Sequence, residues 1–153
     1  MDSVEDNKNS FEKWDDIENI KENILRGIYA HGFEEPSPIQ KKAIIPMLNK
    51  KDIVAQAQSG TGKTGAFVIS TLQIIDFDEK KTQALILAPT RELASQIESV
   101  IKSLGDFISN LVVQKLVGGT SIDDDIDNLK NNTPHIIVGC PGRTHDMMKR
   151  NHI

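Results

Sequence analysis

Cysteine is almost missing from this sequence: Cys140 is the single one in 153 residues. No disulfide can close within the chain, and no Cys and His cluster with zinc spacing is present, so a structural metal is not expected. Long apolar runs are missing too, for nothing approaches the roughly 20 residues that cross a bilayer. The first ten residues are acidic and polar, unlike a secretory leader or an Arg-rich transit peptide, which gives the expectation of a soluble intracellular protein. There is no basic excess. Eighteen Lys and Arg against 22 Asp and Glu leave a net charge of -4, which excludes a globally basic polyanion binder but leaves room for local phosphate contacts. With 6 Pro, 10 Gly, 38% apolar and 26% charged residues, the chain is neither collagen-like nor a disordered polyampholyte. At this length one domain fits, burying roughly 70% of the unfolded chain's surface.

Residues 1–10 read as a flexible polar tail without periodicity. Over residues 17–29, Ile17, Ile20, Ile24, Leu25 and Ile28 recur at helical spacing, and Gly32 follows as a stop. Pro36 and Pro38 make the next segment turn material, after which 39–48 reads as a short helix interrupted at Pro46. From residue 49 onward strand and helix alternate, the mark of a parallel α/β sheet. Strands are expected at 53–57, 84–88, 111–117 and 136–138. Helices are expected at 62–74, 91–104 and 122–129, with a last one from Thr144, and Asp123, Asp124, Asp125 and Asp127 on an exposed face.

The stretch Ala57-Gln58-Ser59-Gly60-Thr61-Gly62-Lys63-Thr64 lies between an expected strand and an expected helix. Gly60 and Gly62 let the backbone wrap closely, so that successive N–H groups face phosphate oxygens while the helix N-terminus adds its dipole. Lys63 is placed to reach the β- and γ-phosphates, and the Thr64 hydroxyl to ligate Mg²⁺. A Gly-rich capping turn would share the composition, but Gly-Lys-Thr directly after a strand favours the phosphate loop. Three more turns end expected strands, where open α/β sheets place ligands. Pro89-Thr90-Arg91-Glu92 offers a helix cap and a phosphate-seeking Arg, Gly118-Gly119-Thr120 suits close approach of a ligand backbone, and Cys140-Pro141-Gly142-Arg143 presents a second Arg from a tight turn. Each alone reads as well or better as an ordinary turn, and their weight comes from sharing one sheet edge. Upstream, Phe33 and Gln40 bring a ring and an amide close together, the chemistry that stacks on a base and pairs with the N6 and N7 edge of adenine. Composition alone would make them a core Phe and a surface Gln. Trp14 reads more readily as a helix anchor than as a ligand contact, and Lys41 and Lys42 as solvated.

Taken together, residues 32–40, 57–64, 89–93, 118–119 and 141–143 resemble, in order and spacing, the first RecA-like domain of the DEAD-box ATP-dependent RNA helicases, with the translation initiation factor 4A branch most similar. The resemblance spans 14–150 and implies a P-loop NTPase fold: a RecA-like parallel sheet flanked by helices, preceded by a helical region over 11–48. It implies ATP and Mg²⁺ as cofactors. Residues 32–40 become an adenine-reading motif, with Phe33 on the ring, Gln40 on its edge, and Trp14 (or its rival Phe11) as an upstream aromatic. The initial Ala57 is normal in that family. Pro89, Thr90, Arg91, Gly118, Gly119, Gly142 and Arg143 become contacts to an RNA backbone, while Cys140 departs from the family's usual Thr. Partners implied are RNA and translation-initiation or messenger-handling proteins, in the cytoplasm or the nucleus, with no membrane. No counterpart of the Asp-Glu-Ala-Asp motif, the Ser-Ala-Thr motif or the second RecA-like domain occurs in these 153 residues. The acidic run at Asp123 to Asp127 cannot replace the first of these, since it falls in a helix and not after an apolar strand. The intact parent is therefore expected to be an RNA-dependent ATPase, and this incomplete domain alone to be inactive, with unpaired strand edges and a bare apolar face. A purely adenine-nucleotide and RNA-binding module is the alternative.

Overall fold

A computed structural model describes residues 10–153; the polar tail expected over 1–10 lies, apart from the exposed Ser10, outside the described residues. Two units form, one from residues up to Ile74 with Ser103–Phe107, the other from Ile75–Lys102 with Ile108–Ile153.

In the first unit, the helix expected over 17–29 starts later, as α1 (Glu22–Ala30). Asn19 takes a left-handed φ of 58°, which a right-handed helix cannot pass through, and Lys21 is extended. Ile17 and Trp14 are buried all the same, because the 3₁₀ turn Trp14–Asp16 carries the apolar spacing inward ahead of the helix. The second helix, α2 (Pro38–Leu48), opens on Pro38 at a position whose N–H has no helical partner anyway. The expected interruption at Pro46 does not occur. Pro46 withholds a hydrogen bond only from the carbonyl of Lys42, an exposed residue where solvent can satisfy it. The next helix, α3 (Lys63–Ile74), packs against both α1 and α2, burying Ala66, Val68, Ile69 and Leu72. A Cβ on Gly27 would stand 1.9 Å from the carbonyl oxygen of Leu104, so α1 comes this close only because it carries glycine there.

Residues 53–57 do not form the expected strand. An apolar run becomes a strand only when a neighbour takes up its N–H and C=O groups, and no described strand pairs with it. Val54 is fully exposed.

The second unit holds a three-stranded parallel sheet of β1 (Ala84–Leu87), β2 (Val113–Leu116) and β3 (Ile136–Gly139) in the order β1-β3-β2. Ala84 and Val113 both register with Ile136, and Leu87 and Leu116 with Gly139. The central β3 is buried throughout, as its unbroken apolar sequence requires. On β1, which pairs on one side only, Leu85 and Leu87 are about half exposed at 46% and 53%, the open apolar surface expected from the sequence. The helices are α4 (Arg91–Leu104), α5 (Ile122–Asn131) and α6 (Pro141–Lys149). Leu116, Leu129, Ile137 and Met147 form a cluster capped by Ile122 and Ile126. The last helix begins at Pro141, ahead of the expected Thr144, because the fixed φ of proline suits the first helical position and Cys140 before it is extended. Among the described residues no helix is long and apolar enough to cross a membrane.

Candidate nucleotide and nucleic-acid sites

The glycine loop and the Phe33–Gln40 pair belong to the same unit, and hydrogen bonds tie them together. Ser37 caps α2: its hydroxyl accepts from the Gln40 N–H at 3.4 Å, and the Gln40 Oε1 accepts from the Ser37 N–H at 2.8 Å. The Gln40 Nε2 then donates to the carbonyl of Gly62 at 3.2 Å. Gln40 is thus buried with its carboxamide locked in plane, one N–H and one oxygen lone pair still uncommitted, which is what an adenine edge needs. The composition-based expectation of a surface Gln does not hold. Replacing Gln40 by Ala strands the Ser37 N–H and removes the side-chain joint to the Gly62 carbonyl, which keeps its bond from the Ala66 N–H, so the expected result is a loss of about 1–3 kcal/mol in stability along with eroded preference for adenine. Thermal melts and paired ATP and GTP titrations of the variant check it; an unchanged base preference would remove Gln40 from the base site.

Phe33 is half-buried. Its ring lies 4.6 Å from that of His31, edge to face, and 6.3 Å from that of Trp14, nearly parallel. A Cβ added to Gly65 would fall 2.8 Å from the Phe33 ring and 2.8 Å from the Gln40 Nε2. Gly65, one residue beyond the Gly-Lys-Thr triplet, therefore lets α3 slide under both side chains. Sequence reasoning passed over it, although a glycine in the first turn of a helix was a signal of close approach. Trp14 requires a correction: it is completely buried, and its indole N–H donates to the Phe33 carbonyl at 3.0 Å. With its one polar group spent on that carbonyl and its ring packed beneath Phe33, Trp14 braces Phe33 from behind. Phe11 is buried likewise, 5.7 Å from Trp14 ring to ring.

In the loop, Gly60 and Gly62 have φ of 78° and 94°. Thr61 donates its hydroxyl to the Gln58 carbonyl at 2.7 Å, and the exposed Lys63 donates its ammonium to the Ala57 carbonyl. Ala57 to Thr64 thus makes a short arch with Gln58, Ser59 and Gly60 on its exposed outer side, and a Cβ on Gly60 would enter open space. For Mg²⁺ the loop offers the Thr64 hydroxyl, and among the described residues no group of three His, Cys, Asp or Glu could hold a metal unaided. That donor set fits a hard cation that keeps several waters and arrives with phosphate oxygens. Lys42 is exposed as expected, whereas Lys41 is paired with Glu12.

In the second unit the turns after β1 and β2 meet. Thr90 caps α4, its hydroxyl accepting from the Leu93 N–H at 3.2 Å, which leaves its O–H free to donate. Pro89, Thr90 and Arg91 are exposed. Gly119 has φ of 85°, and a Cβ there would lie 2.5 Å from an Arg91 guanidinium nitrogen, so the Arg91 head rests against Gly119. Arg143 departs from expectation. It sits in the first turn of α6, not in a loop, with its side chain 8% exposed and ion-paired to Asp125. Gly142 beside it is exposed. Asp125 is buried rather than solvated, while Asp123, Asp124 and Asp127 are exposed as expected.

A family model described as DEAD/DEAH box helicase matches residues 37–153. The chain is 55% identical over 132 residues to an ATP-dependent RNA helicase eIF4A of Pyricularia oryzae, an alignment covering 86% of this chain and 33% of that protein. It superposes on the crystal structure of a DEAD box protein from the hyperthermophile Methanococcus jannaschii with a TM-score of 0.87 and 38% identity, covering 94% of this chain and 39% of that one. On Saccharomyces cerevisiae Dbp5 bound to RNA and ADP BeF3 the TM-score is 0.75 at 37% identity, covering 88% and 34% respectively. The chain thus spans about a third of the length of the curated relatives it matches. With that match over most of its length and a parallel α/β sheet in agreement with it, the chain belongs to the DEAD/DEAH box helicase family.

Proposed function

We propose that this chain is the nucleotide-binding and strand-gripping part of an ATP-dependent RNA helicase of the initiation factor 4A type, serving translation initiation in the cytoplasm. The observation that carries the reading is the hydrogen-bonded joint between Gln40 and Gly62, which couples a base-reading amide directly to a phosphate loop. A generic NTPase needs the loop but not the amide. Phe33 and Gln40 would read the adenine of ATP, Gln58 to Thr64 would hold its phosphates, and the Thr64 hydroxyl would hold a Mg²⁺ ion that supplies charge neutralisation there. Lys63 and Thr64 are the groups here that touch the reacting phosphates. RNA is gripped along its backbone by Pro89, Thr90, Arg91, Gly118, Gly119 and Gly142, so binding is indifferent to sequence. The names of the eIF4A relative and of the RNA-bound Dbp5 structure support this assignment.

These 153 residues contain no Asp-Glu-Ala-Asp sequence to place Mg²⁺ and the attacking water, and no arginines from a closing second domain. An arginine finger alone is worth about 10³ to 10⁵ in rate, so the chain by itself binds ATP without turnover. The test is RNA binding across a range of salt together with phosphate release. Salt-weakened binding, similar for unrelated single strands and without release, is expected. Release stimulated by RNA, or strong sequence preference, would contradict the reading.

A further inference from the structure

Arg143 spends its hydrogen bonds inside the protein. Nη1 donates to Asp125 and, at 3.2 Å, to the Thr120 hydroxyl, while Nη2 donates to the Thr120 carbonyl at 2.9 Å. The Thr120 hydroxyl in turn donates to the Val117 carbonyl at 2.9 Å. One guanidinium thereby joins the first turn of α6, the first turn of α5 and the loop after β2. Asp125 is itself anchored independently, because its backbone carbonyl accepts from Gln114 at 3.0 Å. The pair is nearly buried, at 8% and 10% side-chain exposure. Were Arg143 to swing out to a phosphate, it would leave a buried carboxylate unpaired, a cost larger than one backbone contact returns. Arg91 has no such commitment: it is exposed, and it lies over Gly119.

We infer that Asp125 is a positioning residue for the RNA grip: acting through Arg143 and Thr120 it fixes the Gly118–Thr120 turn, so that the turn's backbone and Arg91 meet the strand while Arg143 is no phosphate ligand. The inference rests on the RNA reading above and refines which residues carry it. Asp123, Asp124 and Asp127 on the same helix point to solvent and take no part.

The test compares Asp125→Asn, Asp125→Glu, Arg143→Lys and Arg91→Gln with the unaltered chain. It measures amide hydrogen exchange at residues 118–121 without RNA, and binding of fluorescein-labelled oligouridine at several salt concentrations. ATP titration serves as the control for the other unit. In Asp125→Asn, exchange at 118–121 is expected to quicken and affinity to fall, each by about threefold to tenfold. The slope of affinity against salt should not change, since no phosphate-neutralising charge is lost. Asp125→Glu should recover most of the binding. Arg143→Lys keeps the charge but cannot span both Thr120 oxygens, and should behave like Asp125→Asn. Arg91→Gln should instead lower the salt slope by about one. Unchanged or tighter binding in Asp125→Asn, or full affinity in Arg143→Lys, would show that the Asp125–Arg143 pair does not position the turn for RNA and overturn the inference; so would unaltered exchange at 118–121. An unaltered chain that fails to bind oligouridine overturns the RNA reading instead, and the exchange measurement then still decides whether Asp125 holds the turn.

Discussion

Replacing Lys63 by Ala is expected to weaken ATP binding by about tenfold to a hundredfold, the loss of one charge-assisted hydrogen bond to phosphate oxygens. The fold should hardly notice. Lys63 is exposed and its ammonium donates to the carbonyl of Ala57, a group already at the surface end of the loop. Removing an exposed side chain of this kind shifts stability by about half a kcal/mol at most. The two effects therefore separate cleanly in one preparation: a calorimetric titration with ATP and Mg²⁺ should lose affinity while the thermal melt stays in place. An unchanged affinity would mean that phosphates do not lie along this loop.

Gly62→Ala is expected to damage both fold and binding, for two independent reasons. At φ of 94° the backbone is in a region that side chains rarely enter, at a cost of about 1–3 kcal/mol. The new methyl would also sit 2.7 Å from the Gln40 Nε2 and 2.9 Å from the Ser37 Oγ. Those atoms cannot step aside cheaply, because Ser37 and Gln40 cap α2 reciprocally and Gln40 is buried. Moving them breaks the joint to the loop, so adenine preference should fall with stability. Gly60→Ala supplies the comparison. It has a φ of 78° but nothing within 4 Å of its Cβ, so it suffers backbone strain alone. Melts and ATP titrations of the two variants should rank Gly62→Ala well below Gly60→Ala; equal effects would show that contact with Gln40 and Ser37 does not matter.

The strongest sequence signals were local. The helix expected over 91–104 is α4 itself, and Lys63–Ile74 begins one residue from where the glycine turn placed it, because caps, glycines and apolar spacing all act within a few residues. Features that depend on distant partners were less legible. Residues 53–57 carry a strand's apolar composition, but composition does not say whether a neighbouring strand is there to complete the ladder. Pro46 read as a break because the rule looks at the proline; the outcome turns on whether the carbonyl it deprives can reach water.

Within the candidate site, the glycine loop, Phe33 and Gln40 were readable because phosphate and adenine recognition impose spacing on a short stretch. Trp14 fits its reading from the sequence as an anchor better than the ligand contact the resemblance implies, since a lone aromatic gives no clue whether it faces a ligand or supports the residue that does. Asp125 was hidden in a run of acids that looked uniformly solvated. Its register was nonetheless visible: it lies three residues after Ile122 and four before Leu129, on the face that turns inward. A buried acid on an apolar stripe calls for a cationic partner, and Arg143 is the one the structure supplies.

The central claim is that adenine reading and phosphate binding are one coupled site in this chain. Calorimetric titration with ATP and with GTP, each with Mg²⁺, tests it most directly. The account predicts measurable binding of ATP and much weaker binding of GTP; equal affinity for the two nucleotides, or no binding of either, would contradict it.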